Sequence, residues 1–372
     1  MPNSAIRIRS EPLSSIDLRF ETYVVRATSP EPEDLAWVAS VLAGGFETVE
    51  SSAPHAEVVL TVDAAGYDVL LDRGRTAKGP EVEGFARDAQ RSMLERWSTD
   101  GATSIVRDPL IPGFYRLRRA PRAVEIVVRK RAYGGRMALM QVARELAMDH
   151  VVATGGVLVH GAAARFRGGM IVMSGPKGRG KTTLLLSLLE HAGLSYVSND
   201  RCVLRVADSS AIVRGLPTIV SITRTGLDAF PGFRQRLFAV RPDLAVSDTP
   251  SLGLGPHQFA RLFSSPPSCH GRVSAFLFPQ VTDNRRRLVL RRLAPPEALD
   301  RFREGLFRAG QRAVLGEVFA LQTAADTSSW TMGETAGRWV AANLPCFLVE
   351  LGGDGPPTAE ECRTLLAEIC RE

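Results

Sequence analysis

Residues 170 to 189, MIVMSGPKGRGKTTLLLSLL, contain a pattern that binds phosphate in many proteins. Gly175, Gly180, Lys181 and Thr182 have the spacing G-x-x-x-x-G-K-[ST], in which backbone N–H groups converge on phosphate oxygens at the start of a helix. The glycines permit close approach of the backbone, the lysine reaches terminal phosphates, and the threonine hydroxyl binds Mg²⁺. The alternative is a glycine turn that only joins a strand to a helix. The predicted nucleotide site consists of Gly175, Pro176, Lys177, Gly178, Arg179, Gly180, Lys181, Thr182 and Thr183.

Phosphoryl transfer also requires an acidic residue near the phosphates, and the stretch LSYVSNDRCVL contains one. Asp200 follows an apolar strand, and a carboxylate at that end of a sheet can reach the metal ion beside a nucleotide. We therefore predict that Asp200 and Thr182 are the protein ligands of Mg²⁺. The alternative is that Asn199 and Asp200 only form a turn between two strands, for which both residue types are suited.

His160 is a further candidate, because it follows the apolar stretch GVLV and precedes Gly161. A histidine in this position is ordinarily a polar residue with a satisfied hydrogen bond. Beside a nucleotide, either His160 or Asp200 could accept a proton from a hydroxyl group. The candidate catalytic residues are His160, Lys181, Asn199 and Asp200.

The surrounding elements predict an α/β fold. From Gly155 onward, short and almost continuously apolar strands alternate with helices, which is typical of a sheet covered on both faces. The segment 231–271 shows little periodicity, and such long excursions in compact domains are lids or substrate loops. The N-terminal part predicts a smaller α/β unit with strands at 20–28, 56–64 and 66–74 and helices at 32–44 and 82–97.

Composition and length indicate a folded protein with two domains. The chain has 372 residues, of which 45% are hydrophobic and 23% are charged. We place the domains at residues 1–130 and 131–372. No stretch matches the roughly 18 to 20 apolar residues of a membrane span, and the first residues lack the apolar core of a signal peptide. We therefore expect a cytoplasmic protein that has no membrane partner.

The distribution of the basic residues and of the cysteines argues against a nucleic-acid site and against a zinc site. The formal charge of +6 comes mainly from arginine spread along the chain, without interleaved aromatic residues or a nucleic-acid motif. This pattern favours a solvated or anion-facing surface over a nucleic-acid partner. The five cysteines are scattered and have no C-x-x-C spacing, so we expect free thiols and no zinc site.

The ordered set VLVHGAAARFRGGMIVMSGPKGRGKTTLLLSLLEHAGLSYVSNDRCVL resembles the catalytic domain of the HPr serine kinase/phosphorylase family. In that family, too, a His-Gly pair precedes a strand, a phosphate-binding loop, a helix and an acidic pair. The similarity covers residues 155–207 and does not extend to the N-terminal third. It implies a fold akin to phosphoenolpyruvate carboxykinase, and it implies a homo-oligomer.

The acidic pair departs from the family's pattern. The resemblance gives the first acid the role of base toward a serine hydroxyl and gives the second acid a role in holding the metal. Here the pair is Asn199 and Asp200, so Asp200 inherits the metal role, and Asn199 is able to orient a hydroxyl but not to take its proton. The family's downstream glutamate signature is not recognisable in GLPTIVSITRTGLDAF.

The resemblance therefore implies a divergent kinase that uses ATP and Mg²⁺. Its acceptor would be a serine or threonine hydroxyl on a peptide or protein, such as a precursor peptide in natural-product biosynthesis, and the N-terminal domain would recognise that acceptor. A kinase for a small hydroxylated metabolite and a nucleotide-binding module without catalysis are the alternatives. A GTPase ranks low, because the chain has no guanine-reading N-K-x-D element.

Overall fold

The computed structural model describes residues 13–76, 83–86, 93–100, 103–108, 113–118, 122–246, 249–263, 269–283, 287–306, 325–352 and 355–371. The chain is mixed α/β, as the sequence predicts, and it divides into two compact units. The main division falls between Ala153 and Thr154, whereas the sequence predicts it after residue 130. Among the described residues, no helix combines the length and the hydrophobicity that crossing a membrane requires.

The first unit is built on one sheet of nine strands. The sheet order is β3-β1-β2-β4-β9-β8-β7-β6-β5, with β4 parallel to both β2 and β9 and the other neighbours antiparallel. Its elements are β1 (Ser14–Phe20), β2 (Tyr23–Ser29), α1 (Pro32–Leu42), β3 (Glu47–Val49), β4 (Ala56–Val62), α2 (Ala64–Thr76), β5 (Glu83–Ala86), β6 (Met93–Asp100), β7 (Thr103–Asp108), β8 (Gly113–Arg118), β9 (Ala123–Val128) and α3 (Tyr133–Ala153).

Helix α3 explains why the division lies later than predicted. It packs against strands β2, β4 and β9. Its residues Leu139, Val142 and Leu146 are fully buried, so the helix belongs to the core of the first unit. The helical periodicity of this segment was visible in the sequence, but the sheet on which its apolar face packs was not.

Two sequence predictions in the first unit were wrong. Residues 66–74 form part of helix α2 and not a strand, because the Asp63 carboxylate accepts the backbone N–H of Gly66 at 2.9 Å and so caps the helix. Within 82–97, the described residues 83–86 and 93–97 lie in strands β5 and β6, which pair antiparallel with each other, and not in the predicted helix. Pairing across a sheet commonly overrides the local preference of a segment.

The second unit contains an eight-stranded mixed sheet and a two-stranded sheet. Its elements are β10 (Val157–Phe166), β11 (Gly169–Ser174), α4 (Lys181–Ala192), β12 (Ser195–Ser198), β13 (Arg201–Ala207), β14 (Ser210–Leu216), β15 (Val220–Thr223), α5 (Arg224–Asp228), α6 (Pro231–Val240), α7 (Pro242–Ala245), β16 (Ser251–Leu254), α8 (Pro256–Arg261), β17 (His270–Val281), β18 (Leu288–Arg292), α9 (Pro295–Glu304), α10 (Ala325–Asn343), β19 (Cys346–Leu351) and α11 (Ala359–Arg371).

Strand β11 lies inside the larger sheet and carries the phosphate-binding pattern at its end. It is antiparallel to β10 and parallel to β17, which is in turn parallel to β19. Ile171 and Met173 pack into a cluster that includes residues of α4 and α11. Met170 and Val172 pack on the opposite face, in a cluster that includes residues of α9 and α10. The sheet is thus covered on both faces, as its apolar strands predict.

The segment 231–271 is more ordered than its composition suggests. It contains helices α6, α7 and α8 and strand β16. Phe233, Leu237 and Phe259 are buried in the same cluster as α4, so these helices form part of the core. The prediction of a lid or substrate loop is therefore wrong for the described residues of this segment.

Candidate functional site

The loop between β11 and α4 has the backbone geometry of an anion cradle. Gly175, Gly178 and Gly180 have φ values of 148°, 84° and 89°, which side chains on L-residues disfavour. No side chain among the described residues caps helix α4 at Gly180. The N–H groups of its first turn therefore point toward the loop without a side-chain acceptor, and this arrangement binds phosphate in other proteins.

The other residues of the predicted nucleotide site lie where they could approach a phosphate from several sides. Lys177 and Gly178 are exposed at the tip of the loop. Thr182 and Thr183 are half-buried in the first turn of α4. Pro176 and Arg179 are half-buried between the tip and the ends of the loop.

Lys181 lies inside the loop. Its ammonium group donates hydrogen bonds to the carbonyl oxygens of Gly175 (2.6 Å) and Pro176 (2.8 Å), and the residue is 7% exposed. Burial lowers the pKa of Lys181 from 10.5 to about 8, although the nearby carboxylate of Asp200 acts in the opposite direction. A buried cation that is held by dipoles of its own loop is positioned to meet an anion there.

Strand pairing brings His160 and Asp200 to the loop. Strand β10 pairs with β11 on one side and with β12 on the other, so β11 and β12 end at the same edge of the sheet. The N–H of Gly161 donates to the carbonyl oxygen of Asp200 at 2.9 Å. The carbonyl oxygen of His160 accepts the N–H of Gly175 at 3.4 Å. These backbone contacts fix the acidic turn beside the start of the loop.

The carboxylate of Asp200 has a basic group on each side. Its Oδ1 lies 3.4 Å from Nε2 of His160, and its Oδ2 lies 3.3 Å from Nε of Arg201. Asp200 is 41% exposed and His160 is 25% exposed, so both side chains can be reached from solvent. The sequence predicts no role for Arg201.

The side-chain oxygen of Asn199 is held by two hydroxyl groups. Tyr196 donates to Oδ1 at 2.8 Å, and Thr218 donates to it at 3.3 Å. Tyr196 is buried, and burial raises the pKa of its hydroxyl, which favours the protonated form that donates to Asn199. Tyr196 and Thr218 were not predicted as site residues, because their hydrogen bonds to Asn199 become visible only in the fold.

Gly305 is a further residue that the sequence did not indicate. Its carbonyl oxygen accepts the N–H of His160 at 2.8 Å. A Cβ atom on Gly305 would lie 2.0 Å from Oγ of Ser174 and 3.1 Å from the backbone nitrogen of Gly175. A side chain at this position would therefore require the Ser174 hydroxyl and the start of the loop to move.

The arrangement could hold a phosphorylated ligand with a magnesium ion. No group of three or more His, Cys, Asp or Glu side chains that could bind a metal is found in the described ranges. Mg²⁺ does not need such a cluster, because it is ordinarily bound by one or two carboxylates together with water and phosphate oxygens. The carboxylate of Asp200 and the hydroxyl of Thr182 fit that smaller set.

No protein-family model and no curated protein matches the chain.

The burial of Lys181 gives a titration that can be observed directly. We expect a pKa of about 8 for this amine in the folded protein. The chain has four lysines, so ¹³C spectra of lysine-labelled protein should resolve the titration, and Lys181→Met should assign it. Asp200→Asn should lower the pKa of Lys181 further, because it removes the carboxylate that stabilises the charged amine. A titration of Lys181 near 10.5 in the folded protein would contradict its burial.

The lowered pKa of Lys181 makes the free energy of unfolding depend on pH. Between about pH 8 and 10.5 the unfolded chain keeps a proton on Lys181 that the folded protein has lost. The free energy of unfolding of the wild type should therefore rise relative to that of Lys181→Met across this window. Urea unfolding at several pH values measures the difference, and a constant difference would contradict the shift.

The short distances around Gly305 predict the effect of adding one methyl group there. Gly305→Ala should cost about 1–3 kcal/mol of unfolding free energy through overpacking, and it should weaken the binding of inorganic tripolyphosphate because the start of the loop must move. Ser174→Ala should partly rescue this variant, since it removes the closest atom. Urea unfolding and calorimetric titration measure the two effects.

Gly255→Ala is the matched control for Gly305→Ala. A Cβ at Gly255 would meet no atom closer than 3.5 Å, and its φ of −62° suits alanine. The control should bind tripolyphosphate like the wild type. Equal affinity in the Gly305 variant and this control would show that the contact does not position the loop.

Proposed function

We propose that the chain is an ATP- and Mg²⁺-dependent kinase that transfers the γ-phosphoryl group to a serine or threonine hydroxyl of a peptide or protein. The observation that carries the proposal is the contact between the loop of Lys181 and the turn of Asp200, which His160 and Gly161 hold together through backbone hydrogen bonds. An anion cradle alone would support binding only. A carboxylate fixed beside the cradle supports transfer, because a metal ion and a base are needed there.

The residues divide the work of transfer between them. The loop N–H groups and Lys181 would hold the phosphates in line with the acceptor hydroxyl. When bound, Mg²⁺ would neutralise charge on the phosphate oxygens, and Thr182 and Asp200 are the residues that would hold it. As the acceptor oxygen bonds to the γ-phosphorus, the bond to the bridging oxygen breaks and ADP leaves. The hydroxyl proton would pass to His160 or Asp200. Nε2 of His160 and Oδ1 of Asp200 lie 3.4 Å apart.

Asn199 would orient the acceptor. Its carbonyl oxygen is occupied by Tyr196 and Thr218, so its amide N–H groups are the part that would meet an acceptor oxygen. An amide cannot take the proton that the first acid takes in the HPr kinase family. A loose transition state for phosphoryl transfer makes only a small demand on a base.

The fold akin to HPr kinase and phosphoenolpyruvate carboxykinase is part of the same proposal. It is supported by the order of the elements: strand β10 with His160 and Gly161, strand β11, the loop, helix α4, strand β12 and then the turn at Asp200. A homo-oligomer and a role of the N-terminal unit in acceptor recognition belong to the same proposal, and they rest on the resemblance of residues 155–207. The proposed cytoplasmic location rests instead on the sequence, in which no stretch has the apolar length of a membrane span.

A nucleotide-binding module without catalysis is the second candidate. The observation that favours it is Asn199, because an amide replaces the acid and two hydroxyl groups satisfy its oxygen. In that case ATP would bind the loop and no phosphate would be transferred. The two candidates differ in turnover and not in binding.

Variants of the site separate these candidates. Lys181→Ala should reduce transfer by about 10²- to 10³-fold, as the loss of one transition-state contact commonly does, and Asp200→Asn should abolish it. Asn199→Ala should only weaken transfer. Asn199→Asp should increase it, because Tyr196 and Thr218 can donate equally to a carboxylate, which also supplies a base.

The measurement is the intact mass of candidate precursor peptides encoded near the gene, incubated with the protein, ATP and Mg²⁺. A gain of one phosphate identifies transfer, and calorimetry with ATP measures binding separately. Asp228→Asn, at an exposed acid in helix α5, is the control that should leave transfer unchanged. Transfer at the wild-type rate in both Lys181→Ala and Asp200→Asn would refute the kinase, and ATP binding without transfer in either Asn199 form would favour the binding module.

A further inference from the structure

Helices α1 and α3 of the first unit bring one arginine between two aromatic rings. The Cζ atom of Arg136 lies 4.9 Å from the ring centroid of Trp37 and 4.7 Å from that of Tyr133. The two rings meet edge to face, with their centroids 5.6 Å apart. Tryptophan, tyrosine and arginine are the side chains that most often carry the binding energy of protein interfaces. We call these three residues the arginine–aromatic cluster.

The cluster reaches the protein surface. Tyr133 is 54% exposed, Trp37 and Arg136 are half-buried, and all of residues 129–133 are exposed. Each side chain of the cluster is held by the other two, so it loses little conformational freedom when a partner binds. The cluster is therefore a preorganised contact surface.

Arg136 has two rings as neighbours but no anion. It makes no ion pair with any carboxylate in the part of the chain that the structure describes, and its buried Nε atom has no acceptor. A ring attracts a cation through its π electrons, but it does not offer the two parallel hydrogen bonds that a carboxylate gives to a guanidinium group. Contact with the rings also removes water from the guanidinium, which strengthens its attraction for an anion.

The charges around the cluster leave a local excess of cations. The carboxylates of Glu31 and Glu33 both lie near the guanidinium of Arg131, at 3.0 Å and 3.6 Å. Lys130 is exposed and forms no ion pair within the described ranges. The positive charges that lack an acidic partner on this surface are thus those of Lys130 and Arg136, and they complement a ligand that carries carboxylates.

The same surface is poorly suited to nucleic acid. Glu31 and Glu33 lie next to the cluster through Arg131 and would repel a continuous row of phosphates. Arg136 already contacts both rings, which competes with the stacking of bases on them. A polypeptide can instead place single carboxylates and apolar side chains where each of them fits.

We propose that the arginine–aromatic cluster docks an acidic polypeptide segment in which aspartate or glutamate lies close to apolar residues. One carboxylate would accept hydrogen bonds from the terminal nitrogens of Arg136, and a second would lie near Lys130. An apolar side chain would pack on the exposed part of Tyr133. The assignment of this segment to the phosphate acceptor rests on the proposed function. The docking itself needs neither nucleotide nor transfer.

The test uses two fluorescent ten-residue peptides and the full chain without nucleotide. The acidic peptide contains glutamate, leucine and glycine, and the neutral peptide has glutamine in place of every glutamate. Fluorescence polarisation should show that the acidic peptide binds at least about tenfold more tightly than the neutral peptide. Equal affinities, or no binding of the acidic peptide, would overturn the proposal.

Substitution of Arg136 locates the binding. Arg136→Gln should weaken binding of the acidic peptide at least about tenfold, which is the loss expected for a charged hydrogen-bonded contact. The matched control is Arg167→Gln, at an exposed arginine that also lies over a ring, that of Phe166, at 5.2 Å. The control removes the same charge and should leave the affinity unchanged. An equal loss in both variants would show attraction to overall charge and would overturn the site.

Substitution of Tyr133 tests the apolar contact without disturbing the core, because this ring is largely exposed. Tyr133→Ser should weaken binding of the acidic peptide about fivefold or more, as the loss of a binding residue at an interface does. Urea unfolding of each variant measures whether the first unit stays folded. Unchanged affinity in a folded Tyr133→Ser variant would overturn the docking of an apolar side chain.

A competition experiment separates a polypeptide from a nucleic acid. Oligothymidylate of ten nucleotides should not displace the acidic peptide at equal concentration. Displacement that is lost in Arg136→Gln would identify a nucleic-acid site and overturn the proposal. Because no ATP is used, failure here leaves the kinase test intact, and failure of transfer leaves the binding result intact.

Discussion

The candidate site depends on the position of one dipeptide in strand β10. The carbonyl oxygen of His160 accepts the N–H of Gly175, the N–H of His160 donates to Gly305, and the N–H of Gly161 donates to Asp200. Three segments that are distant in sequence are thereby held at one point of the sheet edge. Because backbone groups make these contacts, the arrangement does not depend on any single side chain. It does depend on the glycines, which leave room for the backbone segments to approach each other.

The buried lysine shows how the loop balances opposing effects. Removing the ammonium group of Lys181 from water is unfavourable, and the carbonyl groups of Gly175 and Pro176 together with the carboxylate of Asp200 offset part of this cost. The same exclusion of water strengthens any attraction between the lysine and a bound phosphate. The charged form of Lys181 is therefore less stable in the loop alone than it would be with an anion bound there.

The sequence predicted those parts of the molecule that local spacing determines. The spacing around Lys181 predicted the loop and the helix that follows it, and the apolar strands predicted a sheet covered on both faces. The sequence did not reveal Gly305, which reaches the loop only because the chain returns to strand β10 after helix α9. It also misassigned residues 66–74 and the described residues within 82–97, where a helix cap at Asp63 and pairing within a sheet decided the structure. Side-chain capping and long-range pairing leave little trace in periodicity.

The surroundings of Asn199 have a consequence for how this protein can change over time. Both neighbouring hydroxyl groups donate to an oxygen atom that asparagine and aspartate have in common, so either residue fits without rearrangement of Tyr196 or Thr218. Codons for the two residues differ by one nucleotide. A lineage could therefore exchange amide for acid, and with it the chemistry at this turn, while Tyr196 and Thr218 keep their hydrogen bonds to residue 199.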